Sequence, residues 1–469
     1  MEEPGLGGEE ASTATKAVIF IAGASLLVVA AIMTLVATRV MGFVMRLASS
    51  GSEPKAGAKG KKGAAAVPPP EQPQAQHHAK HQGPDLKTLI KQSKKQAAGP
   101  KGPKEEHAVH HHLFINGLPG HGDAVHSLSW SIDGTKIVTA CEDMNVRVYS
   151  LGSDVSNRDP KFKRIACNRT PIGAGFADAR CETVSAVMRG IPDTVMSLFV
   201  PGSGKPEVLP SGQVKKIDGA DVAIAWTAEN VHGREAVLVA RGIAPSEHQL
   251  TGRRPGLVVS LSTKKDCRVY SVQGNELATL EIASLGNHDL AVSIDGRFIS
   301  VACFTSEVKI WEVKCDKNTG VVTGVYKAME LKGHKKKVMS VALSHDNKRA
   351  VTVSQDGTLR VWNIDVRYAL AEDPKTVLTI AMPLSGGRCY QRLAMGPGGI
   401  IAASVDGLVH LLDGTNGSLL DAIPDAHDGG VSELHWCPTK LRLPGVAEPV
   451  AVLATCGRDK RVRLWRAPL

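Results

Sequence analysis

The stretch LKGHKKKVMSVALSHDNKRAVTVSQDGTLRVWNID, Leu331 to Asp365, decides the fold. Val338, Ser340 and Ala342 alternate with Met339, Val341 and Leu343, the period of two that marks a β-strand. Arg349–Ser354 and Thr358–Ile364 read as two further strands, set off by turns at Asn347-Lys348 and Asp356-Gly357. His334 and Asp356 invite a catalytic reading when taken alone. A structural reading follows instead if the same residues recur at the same spacing elsewhere.

They do recur. GHGDAVHSLSWSIDGTKIVTACEDMNVRVYS, starting at Gly120, repeats the pattern without a gap and places His121, Thr139, Asp143 and Tyr149 against His334, Thr352, Asp356 and Trp362. A third copy ends the chain and supplies His427, Thr455, Asp459 and Trp465, its histidine set further back by the insertion LRLPGVAEPV. Weaker units lie between: Arg169–Pro201, Val231–Val272, Leu280–Val313 and Arg388–Gly417. Short four-stranded units that begin near Gly-His and end near Trp-Asp are the sequence mark of a WD40 β-propeller.

The predicted fold is therefore all-β, a seven-bladed propeller over residues 113–469. The units exceed the usual ~40–45 residues, which leaves room for surface loops at Pro201–Lys216, Ala244–Gly256, Lys314–Tyr326 and Asp365–Thr376. HLFING, His112 to Gly117, is expected to close the ring as the outer strand of the last blade beside RVRLWR, so that no long edge is exposed. In such blades His, Thr, Asp and Trp form a buried hydrogen-bond chain from turn to strand, which makes the three sets structural rather than catalytic.

Composition agrees. With 43% hydrophobic and 22% charged residues the chain supports a large core. Nine cysteines are scattered and never form CxxC, so a disulfide framework or zinc site is not expected and reduced thiols favour a cytosolic bulk. No phosphate loop, GxSxG elbow, HExxH or EF-hand spacing occurs, so neither enzymatic activity nor a cofactor, metal or small-molecule substrate is expected.

The front of the chain has a different character. After a short acidic N-terminus (1–16), AVIFIAGASLLVVAAIMTLVAT, Ala17 to Thr38, carries no charge. As a helix it is long enough, at about 33 Å, for one bilayer crossing. Lys16 stands alone before it, whereas Arg39, Arg46, Lys55, Lys59, Lys61 and Lys62 follow, so the positive-inside rule places the bulk in the cytosol. Residues 39–112 form a basic linker whose Gly-, Ala-, Pro- and Lys-rich composition predicts disorder, with a short basic helix over Asp85–Ala98. It suits either a spacer or contact with anionic lipid or RNA phosphates. His77, His78, His81 and His110–His112 cluster without carboxylate or cysteine partners, a weak metal signal.

VSIDGRFISVACFTSEVKIWEV, AMELKGHKKKVMSVALSHDNKRAVTVSQDGTLRVWNIDVRY and EDPKTVL together resemble the transducin β-like protein 2 family of WD40 proteins. The resemblance implies a single-pass endoplasmic-reticulum membrane protein with a cytosolic propeller that acts as a scaffold for protein partners, with links to stress signalling. An RNA- or ribosome-associated protein using the linker and lysine-rich loops is the alternative. Lys335, Lys336 and Lys337 are not demanded by the repeat, since Gly122, Asp123 and Ala124 replace them in the first copy. They mark a candidate partner-binding rim.

Overall fold

The computed structural model describes residues 111–468, except 153–154, 158, 191–194, 202–221, 249–251 and 283–284. The apolar segment 17–38, the linker residues 39–110 and the histidines His77, His78, His81 and His110 lie outside the described residues. No helix among the described residues is long and apolar enough to cross a membrane.

The described chain forms seven four-stranded antiparallel sheets, each running in sequence order from the inner to the outer strand except the last. Blade 1 begins at Val125–Trp130, blade 2 at Thr170–Phe176, blade 3 at Val237–Ile243 and blade 4 at Asn287–Val292. Blade 5 begins at Val338–Leu343, blade 6 at Arg392–Met395 and blade 7 at Val431–Trp436. Blade 7 takes its outer strand from the start of the propeller: Phe114–Leu118 pairs antiparallel with Val462–Arg466, with Phe114 opposite Trp465 and Leu118 opposite Val462. This is the closure expected from the sequence, and it leaves the last sheet without an exposed third strand.

The core is divided rather than central. Seven apolar clusters each join two neighbouring blades: for example Ile137 and Tyr149 of blade 1 meet Val452 and Leu464 of blade 7, and Phe298 of blade 4 meets Trp362 of blade 5. Blades thus pack face on face, and a middle strand is covered on both sides. Leu257–Ser262 and Phe298–Cys303 are buried along their whole length, while the outer strand Lys161–Ala166 is mostly exposed. The clean alternation expected of a half-buried strand is therefore lost in the middle strands. All nine cysteines are unpaired, and seven are buried in these contacts.

The predicted loops resolve differently. Lys314–Tyr326 is mostly strand, because the third strand of blade 4 runs to Cys315 and its outer strand starts at Val322, joined by a turn in which Asp316 accepts from the Asn318 and Thr319 amides. Ala244–Gly256 carries a small extra hairpin, Ser246–His248 with Gly252–Arg254. Asp365–Thr376 holds one 3-10 turn, Tyr368–Leu370. All but the first residue of Pro201–Lys216 lies outside the described residues. His111 and His112, assigned to the linker, belong to the folded part: the His111 ring lies 3.1 Å from the Ala422 carbonyl, and His112 lies 2.9 Å from Asp421 on the outer strand of blade 6.

Candidate functional site

The His, Thr, Asp and Trp side chains of blade 5 meet in one line. The Trp362 indole N–H donates to Thr352 Oγ1 at 2.8 Å, Thr352 Oγ1 lies 2.8 Å from His334 Nε2, and His334 Nδ1 lies 2.9 Å from Asp356. An indole only donates and a carboxylate only accepts. The chain therefore runs one way, with the threonine hydroxyl donating to Nε2 and Nδ1–H donating to Asp356. Histidine is neutral in this arrangement, and burial holds its pKa below 6.5 against the pull of Asp356. Burial alone raises a carboxyl pKa, but bonds from Thr358, the Lys335 amide and His334 hold Asp356 well below the usual carboxylate range. Every polar atom of the pair is spent inside the blade, which leaves none for a substrate.

Blade 7 repeats the line: Trp465 Nε1 to Thr455 Oγ1 at 2.9 Å, Thr455 to His427 at 2.8 Å, and His427 to Asp459 at 2.8 Å. Gly457 is needed beside it, because a Cβ there would come within 2.6 Å of the His427 ring. Blade 1 is incomplete. His121 lies 2.9 Å from Thr139, but Asp143 turns to the Gly122 amide and Arg147, and Tyr149 donates to the Pro119 carbonyl. His121 Nδ1 is left without a partner, and burial, then Arg147, hold the imidazole down at about pKa 4. A phenol reaches beyond the point where an indole N–H ends, so tyrosine at the tryptophan position bypasses the threonine.

Blade 3 carries a set that sequence reading missed. His232 lies 2.9 Å from Asp266 and 2.8 Å from Ser260, and Tyr270 occupies the tryptophan position. Its aspartate starts the third strand rather than sitting in the turn, where Lys264 stands instead. An arginine two residues before the aromatic residue was also missed. Arg147, Arg268 and Arg463 pair with Asp143, Asp266 and Asp459, and Arg360 lies over Trp362 with 5.9 Å to the ring centroid. The shared strings VRVY, CRVY, LRVW and VRLW carry the signal.

Lys335–Lys337 lie in the connection from Leu331, which ends blade 4, to the inner strand of blade 5. The fold uses their backbone: the Lys335 amide donates to Asp356, and the Lys336 carbonyl accepts from the Ser354 hydroxyl. The Lys335 and Lys336 side chains are exposed, and the Lys337 ammonium sits over the Phe304 ring at 5.3 Å.

On the same side of the ring, the central channel opens into a mouth of about 1050 Å³. Each inner strand sends one side chain into it from the same position: His126, Ile172, Leu238, His288, Met339, Arg392 and Ser432, in blades 1 to 7. In six blades this residue is the unpaired member of a β-bulge, as between Val338 and Ser340. A bulge swings its extra residue out of the pleat, so the fold directs seven side chains, one per blade, to a common opening. Deeper in the channel Arg241 and Glu433 pair at 2.8 Å, and the Ser340 hydroxyl donates to Asp289. Among the described residues no cluster of His, Cys, Asp and Glu is arranged to hold a metal.

The family model for "WD domain, G-beta repeat" matches residues 113–150, 326–363 and 419–466, the three copies legible in the sequence. Human transducin beta-like protein 2 is 26% identical over 383 residues, covering 81% of this chain and 78% of that protein. The mouse protein of the same name is 26% identical over 80% of this chain and 77% of its own. The yeast (Saccharomyces cerevisiae) U3 small nucleolar RNA-associated protein 12 is 31% identical, but over only 29% of this chain and 12% of its own. The chain thus carries WD40 repeats in three segments of its seven-bladed propeller and is similar to transducin beta-like protein 2 over about four-fifths of its length.

Proposed function

We propose that this chain is a membrane-anchored scaffold, its propeller held on the cytosolic side of the endoplasmic-reticulum membrane and recruiting protein partners in stress signalling. A WD40 propeller is an interaction scaffold, and the observation that carries the reading is the channel mouth. Seven inner-strand side chains, one per blade, converge there, six of them from β-bulges. Lys335 and Lys336 stand exposed on the same side, with only their backbone used by the fold. The anchor and its orientation are supported by the uncharged run from Ala17 to Thr38 and by the basic residues that follow it. The similarity to transducin beta-like protein 2 supports the overall arrangement.

Alkaline extraction of cell membranes tests the anchor: the full chain stays in the pellet, and release into the supernatant contradicts the reading. Asn168 and Asn416 sit in glycosylation sequons. A gel shift on endoglycosidase treatment would place the propeller in the lumen and reverse the orientation.

A further inference from the structure

The charge at the channel mouth is uneven. Arg392 of blade 6, Arg458 of blade 7 and Arg189 of blade 2 line it. Blade 1 separates blades 7 and 2, so the three guanidinium groups span an arc of four consecutive blades. Arg392 reaches only backbone carbonyls, those of Ser432 at 3.0 Å and Gln391 at 3.2 Å. Among the described residues none of the three pairs with a carboxylate. The two carboxylates that share the mouth face other partners: Glu142 lies 3.7 Å from His126 and Asp406 lies 3.9 Å from Arg388. The histidines of the mouth register the excess. Burial first, then Arg189 and Arg458 against Glu142, hold His126 below its ordinary pKa. Burial first, then Lys337 and Arg392, do the same to His288.

The other side of the mouth is apolar. Leu238 and Met339, of blades 3 and 5, occupy the bulge positions there and are partly exposed, while Ile172 of blade 2 is buried. No Phe, Tyr or Trp lines the opening. Single-stranded nucleic acid is held by a basic groove together with aromatic faces on which bases stack. A basic arc facing aliphatic side chains suits a polypeptide instead.

We propose that the channel mouth binds an acidic protein segment, its carboxylates on Arg189, Arg392 and Arg458 and a neighbouring aliphatic side chain on Leu238 and Met339. This assignment rests on the scaffold reading and names the chemistry of the partner. Desolvated arginine–carboxylate pairs give orientation as well as affinity, and the apolar arc sets which residue may follow the acid.

The full-length chain in detergent micelles is titrated with a short fluorescent peptide alternating aspartate and leucine, read by anisotropy. Binding should weaken about tenfold or more in the double variant R189E/R458E. Both arginines are exposed, so its melting temperature should match the parent. The same peptide with asparagine for aspartate should bind as weakly to the parent chain, and affinity should fall with added salt. Equal affinity for the two peptides, or unchanged binding by R189E/R458E, overturns the assignment. So does an oligouridylate that binds the parent more tightly than the peptide and is lost in the double variant. Partner recovery from cells separates this claim from the scaffold reading. Partners lost with R189E/R458E support the assignment. Partners retained by R189E/R458E overturn it and leave the scaffold standing. No partner on the parent chain overturns both.

Discussion

Thr352 Oγ1 lies 2.8 Å from the Trp362 indole nitrogen, so a buried donor on one strand is satisfied by a hydroxyl on its neighbour. The same oxygen serves His334, so one atom connects the turn to the strand face. Thr352→Val keeps the shape and removes both bonds. It should destabilise the chain by about 1–3 kcal/mol for each orphaned group, whereas Thr352→Ser should cost less. Denaturant midpoints of the two variants check this. Equal midpoints would remove the hydroxyl from the account.

Thr139 in blade 1 contacts His121 but not Tyr149, whose hydroxyl donates to the Pro119 carbonyl at 2.5 Å. Thr139→Val should therefore shift the midpoint by less than Thr352→Val. A larger shift would show that the blade 1 set is complete in solution.

Blade 3 depends on a carboxylate displaced from the usual turn position. Asp266→Ala leaves the His232 and Arg268 side chains without their shared partner and should cost on the order of 1–3 kcal/mol. Lys264→Ala, at the position where blades 1, 5 and 7 carry aspartate, should be close to neutral. The same denaturation assay compares them, and the reverse order would contradict the assignment of Asp266.

How far the sequence disclosed these sets depended on hairpin geometry. In blades 5 and 7 the aspartate sits in the turn between the second and third strands, so its distance from threonine and tryptophan is fixed and the copies align. In blade 3 the aspartate moves onto the strand, serine replaces threonine and tyrosine replaces tryptophan, and the alignment fails although the two histidine contacts survive and the tyrosine turns to Glu276. The residues that line the channel mouth left no trace at all. His126, Ile172, Leu238, His288, Met339, Arg392 and Ser432 share a position but no chemistry, because all but the buried Ile172 stay partly open to the channel. The length of the blade 4 hairpin was hidden for a related reason: its outer strand, Val322–Leu331, is largely solvated and lacks a continuous apolar face.

Acid should destabilise the propeller in two stages. Burial, then Arg147, lower His121 from 6.5 to about 4, and burial, then Arg241 and His345, lower His435 from 6.5 to about 3. A depressed histidine stays neutral in the folded chain while the unfolded chain takes up a proton. Its contribution is complete above pH 6.5 and is lost as pH falls towards the folded values. The carboxyls of Asp143, Asp266 and Asp356, held below the usual 3.8, add a further loss below that pH. Melting temperature should be level above pH 7 and decline from about 6.5 downwards. A level profile from pH 7 to 4 would contradict neutral buried histidines.

Ring closure depends on Phe114–Leu118. A chain deleted through Leu118 loses the outer strand of blade 7 and exposes the edge of Val462–Arg466. It should elute as aggregate on size exclusion, and a monodisperse product would show that the ring closes without this strand.

The central claim is that the propeller recruits protein partners through the side of the ring that carries the lysines and the channel mouth. Proximity labelling by the full-length chain, compared with Lys335→Glu/Lys336→Glu and with a deletion of residues 49–110, tests it most directly. The account predicts labelled protein partners for the parent and the deletion, and their loss on charge reversal with no change in melting temperature. Partner recovery that survives charge reversal, or RNA recovered by crosslinking that disappears with residues 49–110, would contradict it.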